Sequence, residues 1–95
     1  MREISRRLAQ KGWTLYLMQG CGYCTKQMKE LGSYPRHVVL SADSSHKVLG
    51  GNTGVQLDVR QIPAFPFWYR EVGQNRDTRT GYQTKDALEE MTKGI

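Results

Sequence analysis

Apolar positions near the start of the chain follow two spacings, and each spacing predicts a different element. Ile4 and Leu8 lie four positions apart in a polar segment that ends at Gly12, which predicts a short amphipathic helix. Residues 13–18 are rich in aromatic and aliphatic side chains and carry no charge. Such a run predicts a strand that is buried on both faces.

The helical spacing returns in the next segment. Cys24, Met28 and Leu31 fall on one face of a helix that Gly32 ends. Residues 37–40 are mostly aliphatic and predict a second strand. A helix between two strands is the usual crossover of a parallel pair, so we expect these two strands to run parallel.

The pattern is weakest over residues 41–54. Asp43, Ser44 or Ser45 is suited to cap a short helix that reaches Leu49. The glycines that begin at Gly50 would end such a helix at once. We therefore predict irregular structure or a short helix in this segment.

The C-terminal part of the chain predicts a hairpin followed by a helix. Residues 67–70 and 78–82 read as antiparallel strands, and residues 72–77 read as the turn between them. Thr84 is a suitable N-cap for a final helix that Gly94 would end.

The order of these elements predicts an α/β fold. A parallel strand pair, a hairpin and helices together give a mixed sheet of four strands with flanking helices. The chain has 95 residues, so we predict a single domain over residues 1–95.

Charge and composition narrow the choice of partners. The net charge is +5, but the 14 basic residues are scattered without a basic block, so we do not expect a nucleic-acid partner. The longest apolar run, residues 64–69, contains a proline and is too short to span a bilayer. Two cysteines and no secretory signal indicate a cytoplasmic protein, and we expect a monomer.

The two cysteines carry the candidate chemistry. A disulfide between Cys21 and Cys24 would close a tiny loop, so it would stabilise the fold very little. The pair instead stands where the buried strand ends and the helix begins, and the helix N-terminus favours a thiolate at Cys21. Cys24 lies one turn further along on the apolar face, where it would attack a mixed disulfide formed at Cys21.

Zinc binding is an alternative use of a Cys-x-x-Cys pair. His37 and His46 would have to complete the site, but they are further apart than the about three to five residues that usually separate two histidine ligands. We therefore predict no metal.

Residues 15–31, with Gly-Tyr between the cysteines, resemble the strand and redox helix of the thioredoxin superfamily, on its glutaredoxin side. The resemblance implies a thioredoxin-like fold and a thiol–disulfide oxidoreductase. It also implies protein disulfides or dithiols as substrates and a reductase or oxidase that recycles the enzyme. In this family a cis-proline loop lies against the cysteines, and the residue before the proline binds the substrate backbone.

Two prolines compete for that role. Residues 59–63 resemble the thioredoxin segment around its cis-proline, whereas residues 65–68 resemble thioredoxin-like domains attached to relatives of vitamin K epoxide reductase. If Pro63 were the loop proline, Pro66 would remove a hydrogen-bond donor inside the next strand, so we favour Pro66. The resemblance thus implies substrate-binding roles for a set of residues near the cysteines: Tyr23, Phe65, Pro66 and Pro63.

Departures from the family keep further functions open. Met18 and residues 81–84 stand where glutaredoxins carry their glutathione-binding lysine and Gly-Gly-x-Asp segment. A glutathione-dependent glutaredoxin is therefore the second choice, and we expect no cofactor. A non-enzymatic [2Fe–2S] carrier and a thioredoxin-fold adaptor are also candidate functions. Leu15 stands near the place of the buried aspartate of thioredoxins.

Overall fold

Three helices and five strands make up the part of the chain that the structure, a computed structural model, describes: residues 2–93. In chain order they are α1 (Arg2–Gln10), β1 (Thr14–Met18), α2 (Gly22–Leu31), β2 (His37–Leu40), β3 (Val48–Gly51), β4 (Phe67–Val72), β5 (Asn75–Thr80) and α3 (Lys85–Thr92). A short 3-10 turn, Val59–Gln61, precedes β4. Each helix and strand predicted outside residues 41–54 is present, but the hairpin is longer than predicted. Residues 72–77 were expected to form its turn, whereas the strands pair as far as Val72 and Asn75, so the turn is only residues 73–74 and β5 ends at Thr80 rather than at residue 82. The predicted helix end at Gly94 lies outside the described residues.

The strands form one mixed sheet in the order β3-β2-β1-β4-β5. β1 pairs parallel to β2, as predicted, and antiparallel to β4, which forms the expected hairpin with β5. β1 therefore lies at the centre of the sheet, and four of its five residues are buried. This position explains the uncharged sequence of the strand.

The sheet has five strands, so the prediction of four was wrong. The extra strand is β3, which pairs antiparallel with β2 where a short helix was considered. Asp43 does not cap a helix; its carboxylate accepts hydrogen bonds from Ser41 Oγ at 2.9 Å and Ser45 N at 3.0 Å, which closes a turn. Gly51 allows the pairing, since a Cβ there would lie 2.4 Å from the carbonyl oxygen of His37.

Two apolar clusters lie in the fold and share Phe65 at their margins. The first cluster contains buried side chains of all three helices together with Trp68, which is fully buried. The second contains Tyr16, Val38 and Phe67, and Leu57 and Val59 of the segment before β4 pack against it. No helix within residues 2–93 has the length and apolar character needed to cross a membrane.

Candidate functional site

Cys21 is the N-cap residue of α2. Its backbone is extended, with φ −84° and ψ 116°, and its Sγ accepts a hydrogen bond from the backbone N–H of Cys24 at 3.2 Å. The first N–H groups of a helix lack partners within the helix, and an anion is stabilised there. The predicted placement of Cys21 at the start of the helix is confirmed, and the residue is partly exposed.

Cys24 occupies the opposite kind of environment. It is 4% exposed and lies in the first apolar cluster. Burial raises the pKa of its thiol to about 12, and the hydrogen bond with Cys21 acts in the same direction, while the N–H of Met18 opposes the rise. That N–H lies 3.5 Å from Cys24 Sγ. Cys24 is therefore a protonated, shielded thiol at neutral pH.

The loop before β4 reaches Cys21 from across the fold. The Sγ of Cys21 lies 3.7 Å from the carbonyl oxygen of Phe65, to which it donates a hydrogen bond as a thiol. The Phe65–Pro66 peptide is cis, as expected, and Pro66 is buried. The carbonyl of Pro66 accepts a hydrogen bond from Gly81 N at 2.8 Å. Pro63 is exposed on the approach to this loop.

Tyr23 lies on the surface beside the cysteines. It is 64% exposed, and its ring centroid is 6.2 Å from that of Tyr82. Lys26 Nζ lies 4.7 Å from the centroid of the Tyr82 ring, and the Tyr82 hydroxyl donates a hydrogen bond to the carboxylate of Glu30. Of the predicted site residues, the structure brings Cys21, Cys24, Phe65 and Pro66 together.

Sequence reasoning missed Gln27, which ties α2 to the segment before α3. Its side chain is fully buried. Its Oε1 accepts hydrogen bonds from Gln83 N at 2.7 Å and Trp68 Nε1 at 3.5 Å, and its Nε2 donates to Gln83 O at 3.1 Å. The available signal was its spacing, since Gln27 follows Cys24 by three positions on the same helix face.

In the sequence, His46 was considered as a ligand of a zinc site. In the structure its ring centroid lies 5.7 Å from that of Phe65. No group of three or more His, Cys, Asp and Glu side chains within residues 2–93 is arranged to hold a metal ion.

Comparison with models of known protein families, with curated proteins and with solved structures gives no significant match.

Proposed function

We propose that the protein is a thiol–disulfide oxidoreductase that exchanges its Cys21–Cys24 pair with protein disulfides. One observation carries the proposal: the sulfur of Cys21 accepts the Cys24 N–H at the start of α2 and at the same time faces the carbonyl of Phe65. A partly exposed cysteine at a helix N-terminus and a buried thiol one turn away are the two sulfurs that exchange through a mixed disulfide requires. The backbone of Phe65 is suited to pair with an extended substrate segment next to Cys21.

The reaction proceeds in two exchanges. The thiolate of Cys21 attacks one sulfur of the substrate disulfide, whose S–S bond breaks, and the departing sulfur takes a proton from water. A mixed disulfide now joins Cys21 to the substrate. Cys24 then attacks the Cys21 sulfur, the bond between Cys21 and the substrate breaks, and the proton of Cys24 passes to the departing substrate sulfur, which leaves as a thiol. Two electrons pass to the substrate, and the Cys21–Cys24 pair becomes a disulfide.

The different environments of the two sulfurs support these roles. Cys21 is partly exposed, so a substrate reaches it first. Cys24 is 4% exposed and its raised pKa keeps it protonated, which protects it from direct attack by solvent oxidants. We propose no bound cofactor, because the two sulfurs supply both electrons.

The arrangement of the elements supports a thioredoxin-like fold. A parallel β1-α2-β2 unit is followed by the antiparallel β4–β5 hairpin and by α3, and the cysteines lie between β1 and α2. β3 adds an edge strand to this arrangement. The partners we propose are protein dithiols and disulfides in the cytoplasm, with a reductase or oxidase that recycles the pair.

A trapping experiment tests the proposal. The Cys24→Ser variant, mixed with a disulfide-containing protein such as insulin, should accumulate a mixed disulfide at Cys21 because the second exchange is blocked. Mass spectrometry under non-reducing conditions detects the adduct, and Cys21→Ser is the matched control that should form none. The absence of any adduct in Cys24→Ser would contradict the proposal.

The same preparations separate the competing functions. A glutathione-dependent enzyme would form its adduct with oxidised glutathione in preference to the protein substrate. A [2Fe–2S] carrier, purified without oxygen, would contain iron and be coloured. An adaptor would form no adduct with either disulfide.

A further inference from the structure

His46 lies near Phe65, and Phe65 contacts the nucleophile Cys21. Its ring centroid is 5.7 Å from that of Phe65, with an angle of 51° between the two ring planes. The carbonyl of Phe65 in turn lies 3.7 Å from the sulfur of Cys21. His46 comes from the connection between β2 and β3, and none of the steps proposed above uses it.

The connection that carries His46 fixes its backbone. His46 has φ +46°, in the left-handed region that a residue other than glycine adopts at a cost. Its N–H donates to Asp43 O at 3.2 Å, and its Nδ1 lies 3.3 Å from Ser41 O. Ser41 and Lys47 close the segment, since Ser41 N donates to Lys47 O at 2.8 Å and Lys47 N to Ser41 Oγ at 2.9 Å. The imidazole is therefore positioned before a substrate arrives.

The apolar core fixes the position of Phe65. It packs against both apolar clusters, so the core determines where its ring and carbonyl lie. Phe65 and His46 are both only partly buried. The two rings thus belong to, or lie against, the residue whose carbonyl oxygen contacts the Cys21 sulfur. A side chain next to an incoming substrate sulfur can reach them.

We propose that His46 is a specificity-determining residue of the exchange reaction. With Phe65 it forms a wall, the His46–Phe65 wall, that binds an apolar or aromatic side chain next to the substrate cysteine. This inference rests on the proposed function and names its substrate class: extended protein segments with an apolar residue beside the cysteine. Contact between aromatic rings is expected to favour such segments by about 3- to 10-fold over segments with alanine.

Paired peptides test the wall directly. Each peptide carries one cysteine activated as a mixed disulfide with a thionitrobenzoate group, flanked on both sides by either phenylalanine or alanine. Reduced full-length Cys24→Ser protein attacks the peptide sulfur through Cys21, the peptide becomes bound to Cys21, and the coloured thionitrobenzoate thiolate leaves. The readout is the ratio of the second-order rate constants for the two peptides, and mass spectrometry verifies the adduct.

We expect the phenylalanine peptide to react about 3- to 10-fold faster with this protein. Adding His46→Asn, which tolerates the left-handed backbone but removes the ring, should lower the ratio to below about 2-fold. His46→Phe should restore the ratio. Lys47→Ala is the matched control, because this neighbouring side chain is exposed.

The possible outcomes distinguish the role of His46 from the proposed exchange reaction at Cys21. Equal rates for the two peptides, or a ratio that His46→Asn leaves unchanged, would overturn the role of His46 while exchange at Cys21 stands. Failure of both peptides to form an adduct would overturn the proposed function itself. Thermal unfolding by circular dichroism checks the variants, and His46→Gly replaces His46→Asn if the latter does not fold, because glycine adopts the same φ freely.

Discussion

The side-chain amide of Gln27 pairs with the backbone of Gln83 at both of its polar groups. Gln27 Oε1 accepts from Gln83 N at 2.7 Å, and Gln27 Nε2 donates to Gln83 O at 3.1 Å. This pair joins the redox helix to the segment between β5 and α3. Tyr82, which packs near Tyr23, is the neighbour of Gln83, so the pair also positions the surface beside the cysteines.

Replacing Gln27 with leucine should destabilise the protein. Gln27→Leu leaves the backbone groups of Gln83 without partners, and it also removes the acceptor of Trp68 Nε1. A buried polar group left without a partner costs about 1–3 kcal/mol. The Gln83 groups are only partly buried and can bind water instead, so we expect the free energy of unfolding to fall by about 2–3 kcal/mol in total. Urea denaturation followed by tryptophan fluorescence measures the change.

Lys29→Ala is the control for this change, because Lys29 is an exposed residue of the same helix. We expect its effect to stay within about 0.5 kcal/mol. Equal stabilities of Gln27→Leu and the unmodified protein would show that the amide pair contributes nothing to the fold.

Gln27 also shows how far sequence reasoning reached. The apolar spacing of Cys24, Met28 and Leu31 identified α2 and its buried face. The pattern could not show that a polar side chain shares this face, because its partner Gln83 is distant in the sequence. The elements that depend on local spacing were therefore predicted well, whereas a contact that depends on tertiary structure was not.

The segment that became β3 was missed for a related reason. Asp43 and the serines beside it suit a helix cap and a turn equally well, because their side chains bond to nearby backbone in either case. The segment forms a strand rather than a helix because Val38 pairs with Gly51 and Val39 pairs with Gly50. This pairing joins separate parts of the chain, so local sequence does not show it. The cysteine pair and Pro66 could be predicted because the family resemblance included them, whereas nothing indicated that His46 would contact Phe65.

Gly51 should be far less tolerant of substitution than Gly50. Gly51 has φ +122°, and a Cβ there would lie 2.4 Å from the carbonyl oxygen of His37, whereas a Cβ at Gly50 would meet no atom within 4 Å. Because the obstacle is backbone, Gly51→Ala must shift β3 away from β2, and we expect a loss of about 2 kcal/mol or more. Thermal unfolding of the two alanine variants compares them, and equal melting temperatures would contradict the close approach at Gly51.

Alkylation of the reduced, folded protein should label Cys21 alone. Burial raises the pKa of Cys24 to about 12, so its thiol stays protonated at about pH 8 and is shielded from the reagent. Iodoacetamide followed by mass spectrometry should show one label in the folded protein and two labels in urea. In Cys21→Ser the remaining thiol should stay unlabelled, since burial is the largest cause of the shift. Two labels on the folded protein would contradict this assignment.

The raised pKa of Cys24 makes the stability of the protein fall as the pH rises above the ordinary range of a thiol. In the unfolded chain Cys24 ionises near its ordinary pKa of about 8.5, whereas in the fold it keeps its proton up to about pH 12. The contribution of Cys24 to stability is therefore complete below about pH 8.5 and is lost as the pH rises to about 12. Urea denaturation across this interval should show a smaller loss in Cys24→Ala than in the unmodified protein, and equal losses would contradict the shift.

Cys21 has a structural role that can be separated from its chemistry. Its sulfur caps α2 by accepting the N–H of Cys24, an N–H that no residue within the helix can bind. Serine also accepts this hydrogen bond, whereas alanine does not, so the reduced Cys21→Ala variant should be less stable than Cys21→Ser by about 1 kcal/mol. Both variants should fail to form mixed disulfides, since neither retains the nucleophile. Urea denaturation of the two proteins under reducing conditions measures the difference. Equal stabilities of the two variants would contradict this structural role, because they would show that the hydrogen bond from the Cys24 N–H does not stabilise α2.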